Sequence, residues 1–156
     1  MTTEITADTR VPLVRISREF DAPPDRVFAA YARPELVSKW LGPRRHEMVI
    51  DHYDCRTGGS YRYLHVSGGN EFGFHGSFHD VRPASLIVQT FTFEGAPDEV
   101  ALERVVFEDL GSGRTRLVTT SLVDSFEARD AFVASGMEDG VREGYERLDE
   151  LLAAGW

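Results

Sequence analysis

Residues 33–43, Arg33-Pro34-Glu35-Leu36-Val37-Ser38-Lys39-Trp40-Leu41-Gly42-Pro43, constrain the chain more than any other segment. A proline opens the stretch, a short amphipathic run follows, and Gly42-Pro43 stops it just after a tryptophan. This reads as a small helix over 34–41 ending in a kink. A second short helix over 24–32 precedes it, with Asp21 as candidate N-cap and Val27, Phe28 and Tyr31 as its apolar positions. Before that, residues 11–20 alternate, with Val14, Ile16 and Phe20 on one side and Arg15, Ser17 and Glu19 on the other, as a half-buried strand does. Two short helices placed between a first strand and a long series of further strands imply a sheet curved around something, with the helices closing one end.

The further strands are read over 46–54, 61–66, 72–81, 86–93, 100–110 and 115–123. Gly58-Gly59, Ser67-Gly68-Gly69-Asn70, Arg82-Pro83-Ala84-Ser85 and Gly111-Ser112-Gly113 mark turns between them. After residue 125 the period changes. Phe126, Ala134, Met137, Val141, Tyr145, Leu148, Leu151 and Leu152 fall mostly three or four apart, which predicts one long helix over 126–153. Gly136, Gly140 and Gly144 line one side of it. They imply either close packing on the sheet or room for a ligand. Residues 1–10 read as a flexible tail and 11–156 as one domain.

Composition narrows the function classes. With 26 acidic against 17 basic residues, the net charge of −9 argues against nucleic acid and against anionic membranes. Cys55 is the one cysteine, so no internal disulfide and no cysteine-based zinc cluster is expected. The polar start of the chain carries no signal-peptide pattern, and no apolar run approaches the ~20 residues that span a bilayer. A soluble, cytoplasmic protein is the expectation.

Register arguments then assign faces. Pairing around Gly68-Gly69 sets His65 opposite Phe72, Tyr63 opposite Phe74 and Tyr61 opposite Gly76, an aromatic laid over a strand glycine. Parity puts Tyr61, Tyr63, Phe74 and Phe78 on one face. If Val81 pairs with Leu86, the face continues into Ile87, Gln89, Phe91 and Phe93. On the last hairpin Glu103, Val105 and Phe107 share a face, with Leu117 and Thr119 across from them. These aromatics serve equally as core beneath the C-terminal helix or as a cavity lining. The candidate lining is Trp40, Tyr61, Tyr63, Phe74, Phe78, Phe91, Phe93, Glu103, Val105, Phe107, Met137, Val141 and Tyr145. Trp40 is either a hydrophobic plug or a ligand contact. Glu103 is the sharpest polar candidate: among apolar neighbours its charged form is disfavoured, and it could anchor a polar group or act as a general base. The alternative is a solvated position at the strand edge.

Other chemistry finds little footing. His75 and His79 share parity but lie about 13 Å apart along an extended strand, too far for two ligands of one zinc ion. His65 and His75 fall on opposite faces, and His46 and His52 have no cysteine partner. No metal site and no cofactor are expected. The glycine turns precede no helix and so are not phosphate loops. Ser38, Ser60, Ser77 and Cys55 have no recognisable activating base, so no catalytic constellation emerges and the reading leans away from an enzyme.

The order β-α-α, six strands, helix resembles that of the START-related, birch-pollen-allergen-like (SRPBCC) superfamily. Within it the chain is similar to the C-terminal domain of the activator of heat-shock protein 90 ATPase. The matching residues are Ile16-Ser17-Arg18-Glu19-Phe20-Asp21-Ala22-Pro23, Val27-Phe28-Ala29-Ala30, Pro34-Glu35-Leu36 with Trp40, Gly58-Gly59-Ser60-Tyr61-Arg62, Gly76-Ser77-Phe78 leading to Pro83, Gly113-Arg114-Thr115-Arg116-Leu117, and Gly136-Met137-Glu138-Asp139-Gly140 with Tyr145-Glu146-Arg147-Leu148. The resemblance implies an α+β helix-grip fold, a curved seven-stranded antiparallel sheet (β-α-α-β6-α) around a long C-terminal helix. Its functions are diverse: carriers, cyclases, hydrolases and co-chaperones share the fold. The leading expectation is a small-molecule binding protein whose partner is a hydrophobic or amphipathic compound. A chaperone-associated interaction module and a cyclase- or hydrolase-type enzyme are the alternatives. The family name implies a chaperone partner, although the N-terminal domain of the eukaryotic co-chaperone has no counterpart in the sequence. A homodimer stays open.

Overall fold

A computed structural model describes residues 1–156. Eight strands and four helices follow in the order β1 (Glu4–Ala7), β2 (Leu13–Phe20), α1 (Pro24–Ala32), α2 (Pro34–Val37), β3 (Glu47–Tyr53), β4 (Ser60–Ser67), β5 (Asn70–Arg82), β6 (Leu86–Phe93), β7 (Ala101–Gly111), β8 (Arg114–Leu122), α3 (Phe126–Ala134) and α4 (Met137–Ala154). All strands join one antiparallel sheet in the order β1-β2-β8-β7-β6-β5-β4-β3. The fold is α+β, with a curved sheet gripping the C-terminal helix. The sheet has eight strands, not the expected seven. The extra one is β1, from residues read as a tail: Ile5 pairs with Ile16 and covers the free edge of β2.

The C-terminal helix is divided. Ser135 and Gly136 separate α3 from α4, and Gly136 adopts a left-handed φ of +86° that a continuous helix forbids. Glu138 and Asp139 in the first turn of α4 suit the positive end of a new helix dipole. The second short helix also ends sooner than expected, at Val37, with turns carrying the chain to Trp40. Asp21 does not cap α1. Pro23 holds the N-cap position, and Asp21 accepts a hydrogen bond from Arg114 Nε at 3.1 Å.

Two bulges set the concave face. The turn at Pro83-Ala84-Ser85 pairs Val81 with Ile87, one residue off the expected register, and the bulge between Phe78 and Asp80 cancels the slip. Phe78 therefore meets Gln89, Phe74 meets Phe93, and Ile87, Gln89, Phe91 and Phe93 stay on the inner face as expected. A second bulge between Ile50 and His52 lets Met48, Ile50 and Tyr53 all face inward opposite His65, Tyr63 and Tyr61. The hairpin pairs read from Gly68-Gly69 and the pairs Phe107/Leu117 and Val105/Thr119 are as expected.

The core lies between this face, α1 and α4. Phe20, Val27, Trp40, Phe78, Leu117 and Leu148 are among its fully buried side chains. On α4, Tyr145 and Leu148 are buried as predicted, and Met137 and Val141 are half-buried. Asp149 on the same helix accepts a hydrogen bond from the buried Arg18 of β2 at 2.5 Å. Gly144 shows why small residues line the helix. A Cβ there would stand 3.2 Å from the Trp40 carbonyl oxygen and 3.3 Å from the Gly42 nitrogen, so α4 packs directly on the loop backbone. No helix is long and apolar enough to cross a membrane.

Candidate functional site

The inner faces of β4, β5 and β6 form one continuous aromatic wall. Tyr61 stacks on Tyr63 at 5.9 Å between ring centroids, Tyr63 on Phe74 at 5.4 Å, and Phe74 on Phe91 at 5.4 Å, with Phe93 at 5.3 Å from Phe74. Gly76 permits the start of this wall. A Cβ there would strike both the Thr90 carbonyl and the Tyr61 hydroxyl, which donates to that carbonyl at 2.7 Å. Along the wall, exposure changes in order. Tyr61, Tyr63 and Phe78 are buried, Phe74 and Phe91 are half-buried, and Phe93 is 39% exposed at the rim.

A second aromatic group closes the end under α1. Trp40 is 1% exposed, donates its indole N–H to the Ala30 carbonyl at 2.9 Å, and lies 4.8 Å from the Tyr31 ring. Phe107 meets both Tyr31 and Phe28 edge-on at 5.4 Å. Tyr145 meets Phe20 edge-on at 5.4 Å and lies 6.3 Å from Trp40. Trp40 is enclosed there, and Val105 and Phe107 are equally closed.

Between the two groups the interior is polar. Glu103 points inward from β7 and accepts hydrogen bonds from Gln89 Nε2 at 3.1 Å and Ser121 Oγ at 3.2 Å. Burial pushes its carboxyl above the usual range, and these two bonds oppose the shift only in part. All five tyrosines of the chain, Tyr31, Tyr53, Tyr61, Tyr63 and Tyr145, feel the Glu103 charge, and burial raises each phenol's pKa. The Tyr31 and Tyr145 hydroxyls lie close to one another and to the buried Thr119 Oγ1. Tyr53 donates to the Tyr31 carbonyl at 2.8 Å.

Glu103 is therefore an interior residue, and its alternative reading as a solvated strand-edge side chain is excluded by its bonds and burial. Sequence parity located it together with Gln89 and Thr119. It missed Ser121, Tyr31 and Tyr53 as members of the polar group. The pairing of Glu103 with Ser121 and of Tyr53 with Tyr61 carried that information, but a bulge hid the second. Glu103, Gln89, Tyr31 and Tyr53 are only half-buried, as are Phe74 and Phe91 along the wall and Met137 and Val141 on α4.

The histidines are arranged otherwise. His65 is buried, its ring edge-on to His46 at 5.4 Å and seated on Gly42, where a Cβ would collide with it. Its Nδ1 has no partner, and burial lowers its pKa to about 4. His75 lies outside, 2.9 Å from Glu94, which also takes Arg62. Burial raises the Cys55 thiol to about 12, which removes it as a nucleophile at neutral pH. Two shallow grooves of about 290 and 360 Å³ are built around Met1, one against Asp149 and Leu152, the other against Arg18 and Arg116. Both lie away from the aromatic wall, and neither gathers convergent chemistry.

The arrangement has many structural relatives. A protein from Mycobacterium smegmatis, Ms6760, superposes with a TM-score of 0.88 at 24% identity over 99% of this chain and 98% of its own. A Rhodobacter sphaeroides protein gives 0.87 at 26% identity over 97% and 98%, and the solution structure of an Arthrobacter aurescens protein gives 0.89 at 25% over 97% and 92%. No curated protein matches the sequence. The family model described as Activator of Hsp90 ATPase homolog 1-like protein matches residues 21–153, from the loop before α1 to the last turn of α4. The chain belongs to this activator of Hsp90 ATPase homolog 1-like family.

Proposed function

We propose that the interior between the concave face and α4 takes up one small hydrophobic or amphipathic molecule. Its apolar body would lie along Tyr63, Phe74 and Phe91, and its polar end would reach Glu103 and the tyrosine hydroxyls. One observation supports this reading above the others: Glu103, on a central strand and bonded to Gln89 and Ser121, retains accessible surface while its neighbours Val105 and Phe107 are closed. Apolar lining with a few converging polar groups is the usual make-up of a ligand site. The exposed Phe93 at the rim of the wall and the half-buried Met137 and Val141 on α4 are the surfaces through which such a molecule would enter.

An environment-sensitive apolar fluorophore should bind with a stoichiometry of one and raise the melting temperature. It should perturb Trp40, caged between Tyr31 and Tyr145, more than Trp156, which is 45% exposed beneath the Arg26 guanidinium. Phe74→Ala should weaken binding about tenfold by removing a ring that stacks on both Tyr63 and Phe91. A panel of apolar and amphipathic compounds giving no thermal shift and no Trp40 response would remove the reading.

The chaperone-associated alternative draws on a different surface. Leu102, Val106 and Leu122, exposed by 42, 38 and 36%, share the outer face of the sheet, where Leu102 pairs with Leu122 and Val106 with Leu86. Stimulation of a purified Hsp90 ATPase that is lost on Leu102→Lys would support it.

A further inference from the structure

We infer that the polar end of this interior is made for a cation, so that the molecule it takes carries a protonated or quaternary amine on an apolar body. The inference rests on the binding reading above and specifies its ligand class. Glu103 lies deep between sheet and helices, and its two hydrogen-bond partners, Gln89 and Ser121, are neutral. No arginine, lysine or histidine of the chain pairs with it. Of the two buried guanidinium groups, Arg18 is already held by Asp149 and Arg129 by Asp130 and the carbonyls of Asp8 and Leu13. A carboxylate in such surroundings is costly unless a positive charge joins it, and here the protein supplies none.

What surrounds the carboxyl suits an ammonium group. The faces of tyrosine and phenylalanine rings carry the negative lobe of the quadrupole and attract a desolvated cation. All five tyrosines lie within the field of Glu103, and Phe74 and Phe91 lead to it from the rim. A carboxylate or phosphate ligand would meet the Glu103 charge and ring faces with no free guanidinium to receive it. A neutral alcohol or amide could bond to Glu103 but would leave the charge unmatched. The chain's net charge of −9 adds attraction for cations before contact.

Three ligands with one apolar body separate these cases: benzyltrimethylammonium, its neutral carbon isostere neopentylbenzene, and phenylacetate. Calorimetry and Trp40 emission at pH 7.5 should show the cation binding at least tenfold tighter than the isostere, with no binding of phenylacetate. The quaternary cation does not titrate, so any pH effect belongs to the protein. Glu103→Gln, checked for an intact melting transition, should bring cation and isostere within about twofold. Phe91→Leu, which keeps the carboxyl but removes a ring face, should weaken the cation more than the isostere. Equal affinity of cation and isostere in the parent protein would overturn the inference, as would a cation preference that survives Glu103→Gln. If all three ligands fail while the apolar fluorophore binds, the cation assignment falls and the binding reading stands. If the fluorophore fails as well, both fall.

Discussion

Glu103 shows how one buried side chain can cost stability. Its carboxyl is desolvated and has only neutral hydrogen-bond partners, so the fold favours the protonated form. Its pKa is therefore higher in the folded than in the unfolded chain. Between those two values the folded state binds the proton more readily, and stability falls as pH rises through that window. Glu103→Gln keeps an amide that can bond to both Gln89 and Ser121 and removes the charge. The variant should melt higher than the parent at pH 8, with the difference shrinking toward pH 4.5. Calorimetry across that range checks it, and a pH-independent difference would assign the effect to packing. Glu103 was legible from the sequence because a strand alternates faces and Val105 and Phe107 fixed its parity. Arg18 and Asp149 were not, since they meet across 131 positions of sequence and nothing local ties a strand arginine to a helix aspartate. The same holds for Arg129, whose guanidinium reaches the carbonyls of Asp8 and Leu13 at 2.6 and 3.2 Å, and for Arg142 on Thr3.

The helices and hairpins divide along similar lines. The β4–β5 hairpin was fully readable because Gly68 and Gly69, both at positive φ, fix the turn and hence every pair up to Tyr61/Gly76. The division between α3 and α4 was hidden, as a glycine within a helical period reads the same whether it continues the helix or breaks it. The acidic first turn after Gly136 was the available signal. Along α4 the remaining glycines now part company. At Gly140 a Cβ would meet only Pro43 Cδ at 3.6 Å, an ordinary contact, so Gly140→Ala should stabilise by about 1 kcal/mol through helix propensity. At Gly144 the neighbours are backbone atoms at 3.2 and 3.3 Å, so Gly144→Val should cost about 1–3 kcal/mol by overpacking. Denaturant titration of the two variants should give shifts of opposite sign. On the same helix, Leu148→Asp should cost about 4 kcal/mol, since Leu148 is fully buried. Glu146→Ala, at an exposed position 4.0 Å from Arg44, should stay within about 0.5 kcal/mol.

At the scale of the molecule, the acid side of the stability curve should be governed by His65, whose contribution separates from those of the other ionisable groups. His65 is seated on Gly42 beneath the loop that packs on α4, among Tyr63, Phe74 and His46, with its Nδ1 unpartnered. Burial, His46 and the Arg147 guanidinium all disfavour its charge, lowering its pKa from 6.5 to about 4. The unfolded chain takes up the proton first as pH falls below 6.5, so stability is complete above that value and is lost progressively toward pH 4. The full loss amounts to about 3 kcal/mol. His46, lowered by burial and Arg45, acts in the same sense. Glu94 does not interfere: Arg62 and His75 hold it down at about 2, so its contribution is lost only below pH 4.5. Glu103 runs the opposite way, gaining stability as it takes up its proton, and partly masks the slope. In the Glu103→Gln background the mask is gone. There, stability measured by urea titration should fall steeply between pH 6.5 and 4.5, and adding His65→Leu should flatten most of that fall whatever it does to stability at pH 8. If the slope persists with leucine at 65, the acid sensitivity belongs to His46 or to the surface charge of the whole chain rather than to the buried ring.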